Sequence, residues 1–273
     1  MPLSFRIFVS SVLACFVAVA TARAEIKVVA SILPVHSLIA GVMGDTGTPV
    51  LLLNGGASPH SYSLRPSQAR LLQNADLVIW VGEDLESFLR KPLRALSSNA
   101  TVITLSRTKE IRLLPAREGG TWGEPAEDHA EHADHGELDL HLWLDPTNAA
   151  AIVRLAVQEL SRLNPPQAAS YKRNGQHVLQ RIKRLDEKIR LGLASVKERP
   201  YLVFHDAYQY FEKHFGTRGV AAMTVSPDRA PGAKRLTALR RQLKTLHAAC
   251  IFAEPQFRPT VIQNFIRGTD ARI

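Results

Sequence analysis

Residues 167–199 read QAASYKRNGQHVLQRIKRLDEKIRLGLASVKER, bounded by Asn164-Pro165-Pro166 on one side and Pro200 on the other. The run holds no proline, and its only breakers are Gly175 and Gly192. Val178, Ile182, Leu185, Ile189, Leu193 and Val196 recur at steps of three and four, which predicts one amphipathic helix of roughly 30 residues, about 45 Å long. The segments on either side have the same grammar as each other. Before it, apolar runs at Ile26–Ser31, Val50–Leu53, Leu77–Val81 and Val102–Leu105 read as buried strands, separated by helical patterns near Leu38–Met43, Pro66–Asn74 and Asp84–Leu96. Leu138–Leu144 reads as a further strand, and Asp145-Pro146 opens a helix with an acidic cap and proline at its first position. After it come strand Tyr201–Phe204, helix Tyr208–Phe215, strand Val220–Val225, helix Lys234–His247, strand Cys250–Ala253 and helix Pro259–Ile266. Alternating strands and helices imply mainly parallel sheets covered by helices. The expected fold is therefore α/β, two α/β lobes joined by one long helix.

Composition agrees with a globular chain: 273 residues, 45% hydrophobic and 22% charged. That excludes a disordered, collagenous or polytopic membrane protein. Residues 1–24 read as a cleaved secretory signal, with Arg6 in a short basic start, an apolar run from Ile7 to Ala20, and Ala22-Arg23-Ala24 as the small-x-small cleavage pattern. A lipoprotein cut before Cys15 is disfavoured, because it leaves a very short apolar region. The formal charge of +9 raises nucleic acid as a partner, but the basic residues spread along helix faces (Lys183, Arg184, Lys188, Arg190; Lys234, Arg235, Arg240, Arg241) without a nucleic-acid motif. No nucleic acid is expected. Once the signal is removed, Cys250 is the single cysteine.

Three histidines stand out. His60 follows the strand Val50–Leu53 through Asn54-Gly55-Gly56-Ala57-Ser58-Pro59, His141 lies within Leu138–Leu144, and His205 directly follows Tyr201–Phe204. Ligands of α/β sheets bind beyond the carboxyl ends of strands, and neutral imidazole is a preferred zinc ligand. Their separations, 81 and 64 residues, match no local zinc-finger pattern, so each taken singly fits a structural role equally well. A different cluster lies in residues 118–137, where His129, His132 and His135 alternate with acids and no apolar periodicity exists; it reads as a surface loop.

Four stretches resemble the zinc-binding periplasmic proteins of bacterial ABC importers, the ZnuA-like family: residues 56–67 around His60, Asp139-Leu140-His141-Leu142-Trp143-Leu144-Asp145-Pro146, Phe204-His205-Asp206-Ala207-Tyr208-Gln209-Tyr210-Phe211, and Phe252-Ala253-Glu254-Pro255-Gln256-Phe257. The similarity spans essentially the whole mature chain. It implies a metal held in the cleft between two lobes by His60, His141 and His205, with His129, His132 and His135 as a weaker secondary metal loop. Manganese members of the wider family place a carboxylate where His205 stands; three imidazoles suit zinc. Pro59 cannot ligate, so water or a loop group fills the fourth position. Asp206 is expected to orient an imidazole or to cap the following helix, His36 to lie on a helix face or behind the ligands, Glu254 to support the cleft, and Trp80, Trp143, Tyr208, Tyr210 and Phe211 to pack. The resemblance further implies a strand and closing helix beyond Ile273, the latter with a cysteine that pairs with Cys250. The second lobe is therefore expected to be incomplete and less stable, with Cys250 lacking an intramolecular partner.

The domain division that follows is 1–24 signal peptide, 25–165 N-terminal lobe with its His-rich loop, 166–199 linker helix, and 200–273 C-terminal lobe. The function implied is Zn²⁺ capture in the periplasm and delivery to the permease of an ABC importer, by a monomer that is not an enzyme. A zinc hydrolase is the competing class, since three histidines and an open position also describe catalytic zinc, but no His-Glu-x-x-His helix accompanies them. A metal-binding surface adhesin is the third.

Overall fold

In the computed structural model, residues 25–54, 56–117, 138–224, 232–245, 248–254, 257 and 259–273 are described. Residues 1–24, the expected signal peptide, lie outside them. Val28–Ala30 (β1) and Leu77–Trp80 (β3) are buried at every position, as parallel strands covered on both faces must be. They form the centre of a four-stranded parallel sheet with Val50–Leu51 (β2) and Thr101–Thr104 (β4), in the order β2-β1-β3-β4. Leu33–Met43 (α1), Pro66–Gln73 (α2) and Arg90–Leu96 (α3) connect the strands. The helix expected from Asp84 begins only at Arg90, after a 3₁₀ turn at Ser87–Leu89. The cause is Glu86, whose buried carboxylate turns back to accept the backbone N–H groups of Val81 (2.6 Å) and Gly82 (3.1 Å).

The strand expected over Leu138–Leu144 is corrected by the structure. Only Leu138–Asp139 (β6) is extended, paired antiparallel with Leu114–Pro115 (β5). Asp139 then accepts the backbone N–H of His141 at 3.0 Å and turns the chain, and Leu142–Leu144 becomes a 3₁₀ turn. His141 therefore sits in a turn beyond a strand, not within one. Asp145 caps Pro146–Leu163 (α4) as expected, its carboxylate accepting from Thr147 N–H at 2.8 Å.

The long helix is Ala168–Leu193 (α5), 26 residues and so about 39 Å. Its first half is no free strut. Tyr171 and Val178 enter the core of the first lobe, and α5 runs against α4 and α1 at glycine contacts: a Cβ on Gly175 would lie 2.4 Å from Val157, and one on Gly41 would lie 2.7 Å from Val178. Past Ile182 the expected apolar stripe is covered only in part: Leu185 is 55% exposed, while Ile189 and Leu193 are partly buried.

Tyr201–His205 (β7) centres a second parallel sheet between Gly219–Thr224 (β8) and Ile251–Phe252 (β9). Gln209–Phe215 (α6), Ala233–Thr245 (α7) and Pro259–Ile266 (α8) accompany it. This lobe has its own core, including Leu202, Phe204, Met223, Leu239, Ile251 and Phe265. Arg272 extends its edge: Ile251 N–H donates to the Arg272 carbonyl (2.8 Å) and Arg272 N–H to that of Ala249 (3.1 Å). Cys250 between them is a half-buried free thiol whose pKa burial raises. Helix α6 packs the other way, and its Tyr210, 1% exposed, belongs to the core of the first lobe. The molecule is thus α/β with mainly parallel sheets, and α6 is where the second lobe grips the first.

Candidate metal centre

Each of the three histidines arrives on a differently built turn. His60 lies on the loop between β2 and α2, and that loop is pinned by Gln68. The Gln68 side chain accepts Arg65 N–H at 2.9 Å, closing the start of α2, donates to the Leu52 carbonyl, and bonds the Tyr62 hydroxyl on the His60 loop. His141 follows the β5–β6 ribbon. His205 is the last residue of β7, at the carboxyl end where a parallel sheet presents its ligands.

The fold brings these three together. Their ring centroids are 4.7 Å (His141–His205), 5.2 Å (His60–His205) and 5.6 Å (His60–His141) apart. One nitrogen from each lies within 4.8 Å of the other two. His141 and His205 are buried, at 8% and 3% exposure, and His60 is partly exposed. The Nε2 atoms of both buried rings make no hydrogen bond among the described residues. Buried ring nitrogens rarely lack a partner, because an unmade bond there costs about 1–3 kcal/mol.

The Nδ1 atoms of the two buried rings each face a carboxylate. Asp139 Oδ1 lies 2.8 Å from His141 Nδ1; since a carboxylate only accepts, Nδ1 carries the proton and Nε2 keeps a lone pair. Glu254 stands 3.4 Å from His205 Nδ1. Burial pushes the His205 pKa below the ordinary imidazole value, while Glu254 pulls it upward. Two buried imidazoles whose Nδ1 atoms face carboxylates, with a third beside them, suit a borderline-soft divalent metal.

Other expectations resolve differently. Asp206 neither caps α6, which has no side-chain cap, nor turns to His205; its carboxylate faces Arg117. Burial raises the Asp206 pKa to about 7, with Arg117 acting against that rise. His36 bonds the Pro49 carbonyl at 2.9 Å, behind β2 and apart from the triad. Trp80 packs in the first sheet and donates to Thr104, whereas Trp143 meets His141 edge-on at 5.5 Å. Tyr210 does more than pack: its hydroxyl takes Leu114 N–H (2.9 Å) and donates to the Asp139 carbonyl (2.7 Å). Sequence reasoning passed over Arg117 altogether and missed the contact of Glu254 with His205; both depend on pairings between distant segments, for which no local pattern exists. His129, His132 and His135 lie outside the described residues.

Comparison with known proteins places this geometry in context. The profile of the family described as "Zinc-uptake complex component A periplasmic" (ZnuA) matches residues 28–273. The high-affinity zinc uptake system protein ZnuA of Brucella abortus is 37% identical over 289 aligned positions, covering 96% of this chain and 86% of that protein. Among solved structures, a ZnuA crystal structure superposes with TM-score 0.78 at 23% identity, over 91% of this chain and 89% of that one. The Zn(II)-bound AdcA of Streptococcus pneumoniae superposes with TM-score 0.73 at 25% identity; 91% of this chain is covered and half of that longer protein.

Proposed function

The chain belongs to the ZnuA family of periplasmic zinc-uptake components, and from that premise we propose that His60, His141 and His205 hold one Zn²⁺ as cargo in the cleft between its lobes. The observation that supports this most directly is the convergence of three ring nitrogens, two of them buried on rings whose other nitrogen faces a carboxylate. All-imidazole ligation favours zinc over manganese, which prefers carboxylate oxygen. The fourth position falls to water or a loop group. His129, His132 and His135 form a weaker, faster-exchanging site, because a loop read from the sequence as lacking apolar periodicity must lose entropy to bind.

The wider reading follows from the family. Residues 1–24 direct export, the mature protein works in the periplasm as a monomer, and it hands zinc to the permease of an ABC importer. The activity is carriage and not catalysis; zinc-loaded protein is expected to show no ester hydrolysis.

The test is competition titration of zinc into the mature protein after removal of residues 118–137. The parent should bind one equivalent tightly, and each of His60→Ala, His141→Ala and His205→Ala should weaken that binding by orders of magnitude. Parent-like binding by all three variants would overturn the assignment. Binding should also weaken as the pH is lowered, because imidazoles must be neutral to ligate.

A further inference from the structure

The two lobes meet through charge as well as through Tyr210. Arg117 follows β5 on the first lobe, at the base of the ribbon that carries Asp139 and His141. Its guanidinium reaches across to the second lobe, with Nη1 2.7 Å from Glu212 on α6 and Nη2 3.2 Å from Asp206. Asp206 is the residue after His205. All three side chains are largely withdrawn from water, with 15% exposure for Arg117, 6% for Asp206 and 9% for Glu212.

Resting on the zinc reading above, we propose that Arg117 is a positioning residue: it draws the His205 turn of the second lobe onto the His60 and His141 of the first, and so sets how tightly the cleft holds zinc. A buried ion pair is weak evidence for stability, since desolvation offsets most of its attraction. What this one supplies is geometry. The planar fork of arginine can hold two carboxylates at once in a fixed arrangement, which a lysine cannot reproduce. One of those carboxylates is covalently adjacent to a ligand and the other lies on the helix whose Tyr210 is bonded to Asp139, the residue that orients His141. The guanidinium therefore links the supports of ligands from both lobes.

The alternative role is electrostatic, and it has the opposite sign. A cation near a dication repels it, so if charge were all that mattered, neutralising Arg117 would tighten zinc binding and Arg117→Lys would leave it unchanged. Positioning predicts that Arg117→Gln weakens zinc binding by 10- to 100-fold and speeds zinc release, with Arg117→Lys recovering only part of the loss.

The experiment measures zinc affinity and dissociation rate by chelator competition for Arg117→Gln, Arg117→Lys and His205→Ala, alongside the thermal midpoint of each zinc-free protein. Because Arg117→Gln leaves two buried carboxylates without their cation, the pair Arg117→Gln with Glu212→Gln is measured too. Weak binding by the pair despite a parent-like zinc-free midpoint supports positioning. Recovery of affinity together with the midpoint would reduce Arg117 to a stability role and overturn the proposal, as would zinc binding by Arg117→Gln equal to or tighter than the parent. His205→Ala separates the two levels: if it binds zinc like the parent, the site assignment itself fails and the proposal with it.

Discussion

Asp139 shows how much one carboxylate can organise. One oxygen takes the backbone N–H of His141 and faces its Nδ1, so it shapes the turn and fixes the ring tautomer together. Carboxylates that support ligating histidines are typically worth 10- to 100-fold in metal affinity. Asp139→Asn should lower zinc affinity within that range in a competition titration, while Glu254→Gln, acting over 3.4 Å, should cost less. Equal effects would show that distance does not govern this support. Glu86 is the second residue with a measurable signature. It is fully buried, and burial raises its pKa from 4.5 to about 7, against the hydrogen bonds from Ser31, Gly82 and Val81 that lower it. Between pH 4.5 and 7 the folded protein thus binds more proton at this site than the unfolded chain does. The contribution to stability is complete below pH 4.5 and is lost as pH rises through about 7. Glu86→Gln keeps an acceptor for Val81 and Gly82 but cannot ionise. It should flatten the pH dependence of denaturant stability in that window and stabilise the protein at pH 8, by at most about 3 kcal/mol. An unchanged slope would show that Glu86 stays protonated or reaches water.

At the scale of elements, the joint that matters is α5 against α4 and α1. Glycine within a helix costs about 1 kcal/mol relative to alanine, so propensity alone says that Gly175→Ala stabilises. Packing says the reverse, because the added Cβ would lie 2.4 Å from Val157, a branched side chain already in the interface. Overpacking costs about 1–3 kcal/mol, and at that separation it should win. Gly175→Ala should lower the thermal midpoint, whereas Gly192→Ala, which meets nothing within 4 Å, should raise or preserve it. A stabilised Gly175→Ala would mean that α5 can shift away from α4 without loss. Cover thins along the second half of α5: Leu185 on the apolar face is 55% exposed, and Leu191, 79% exposed, lies on the opposite, solvent-facing side.

For the molecule as a whole, two cores of unequal size are expected to open unequally. The core around β1 and β3 gathers α1, α4, the first half of α5 and Tyr210. The core around β7 is smaller among the described residues. Hydrogen exchange of the zinc-free protein should therefore show deeper protection at Val29 and Val78 than at Ala221 and Ile251, since protection tracks local opening free energy. Zinc held from both lobes stabilises the folded state by mass action, about 2.7 kcal/mol at a free concentration a hundredfold above Kd. That gain should appear as slower exchange in β7 and α6. If zinc protected only the first lobe, His205 would not be a ligand.

What the sequence determined by itself was local or periodic in origin. The parallel strands, the helix capped at Asp145, the long helix after Pro166 and the placing of His60 and His205 at strand ends could be read there, because spacing along the chain specifies which faces are apolar and where turns fall. His141, expected within a strand, stands in the turn after one. The resemblance to the zinc-uptake family rested on the same kind of contiguous motif. Where one side chain overrides a pattern, the reading failed: Asp139 ended the strand expected through Leu144, and Glu86 delayed α3. Only the tertiary structure decided that α5 lies on the first core, that Tyr210 of the second lobe enters it, and that Arg117 meets Asp206 and Glu212. Those contacts join residues far apart in the chain through burial and charge, and such pairing leaves no period in a sequence because its partners are chosen by the packing of whole elements.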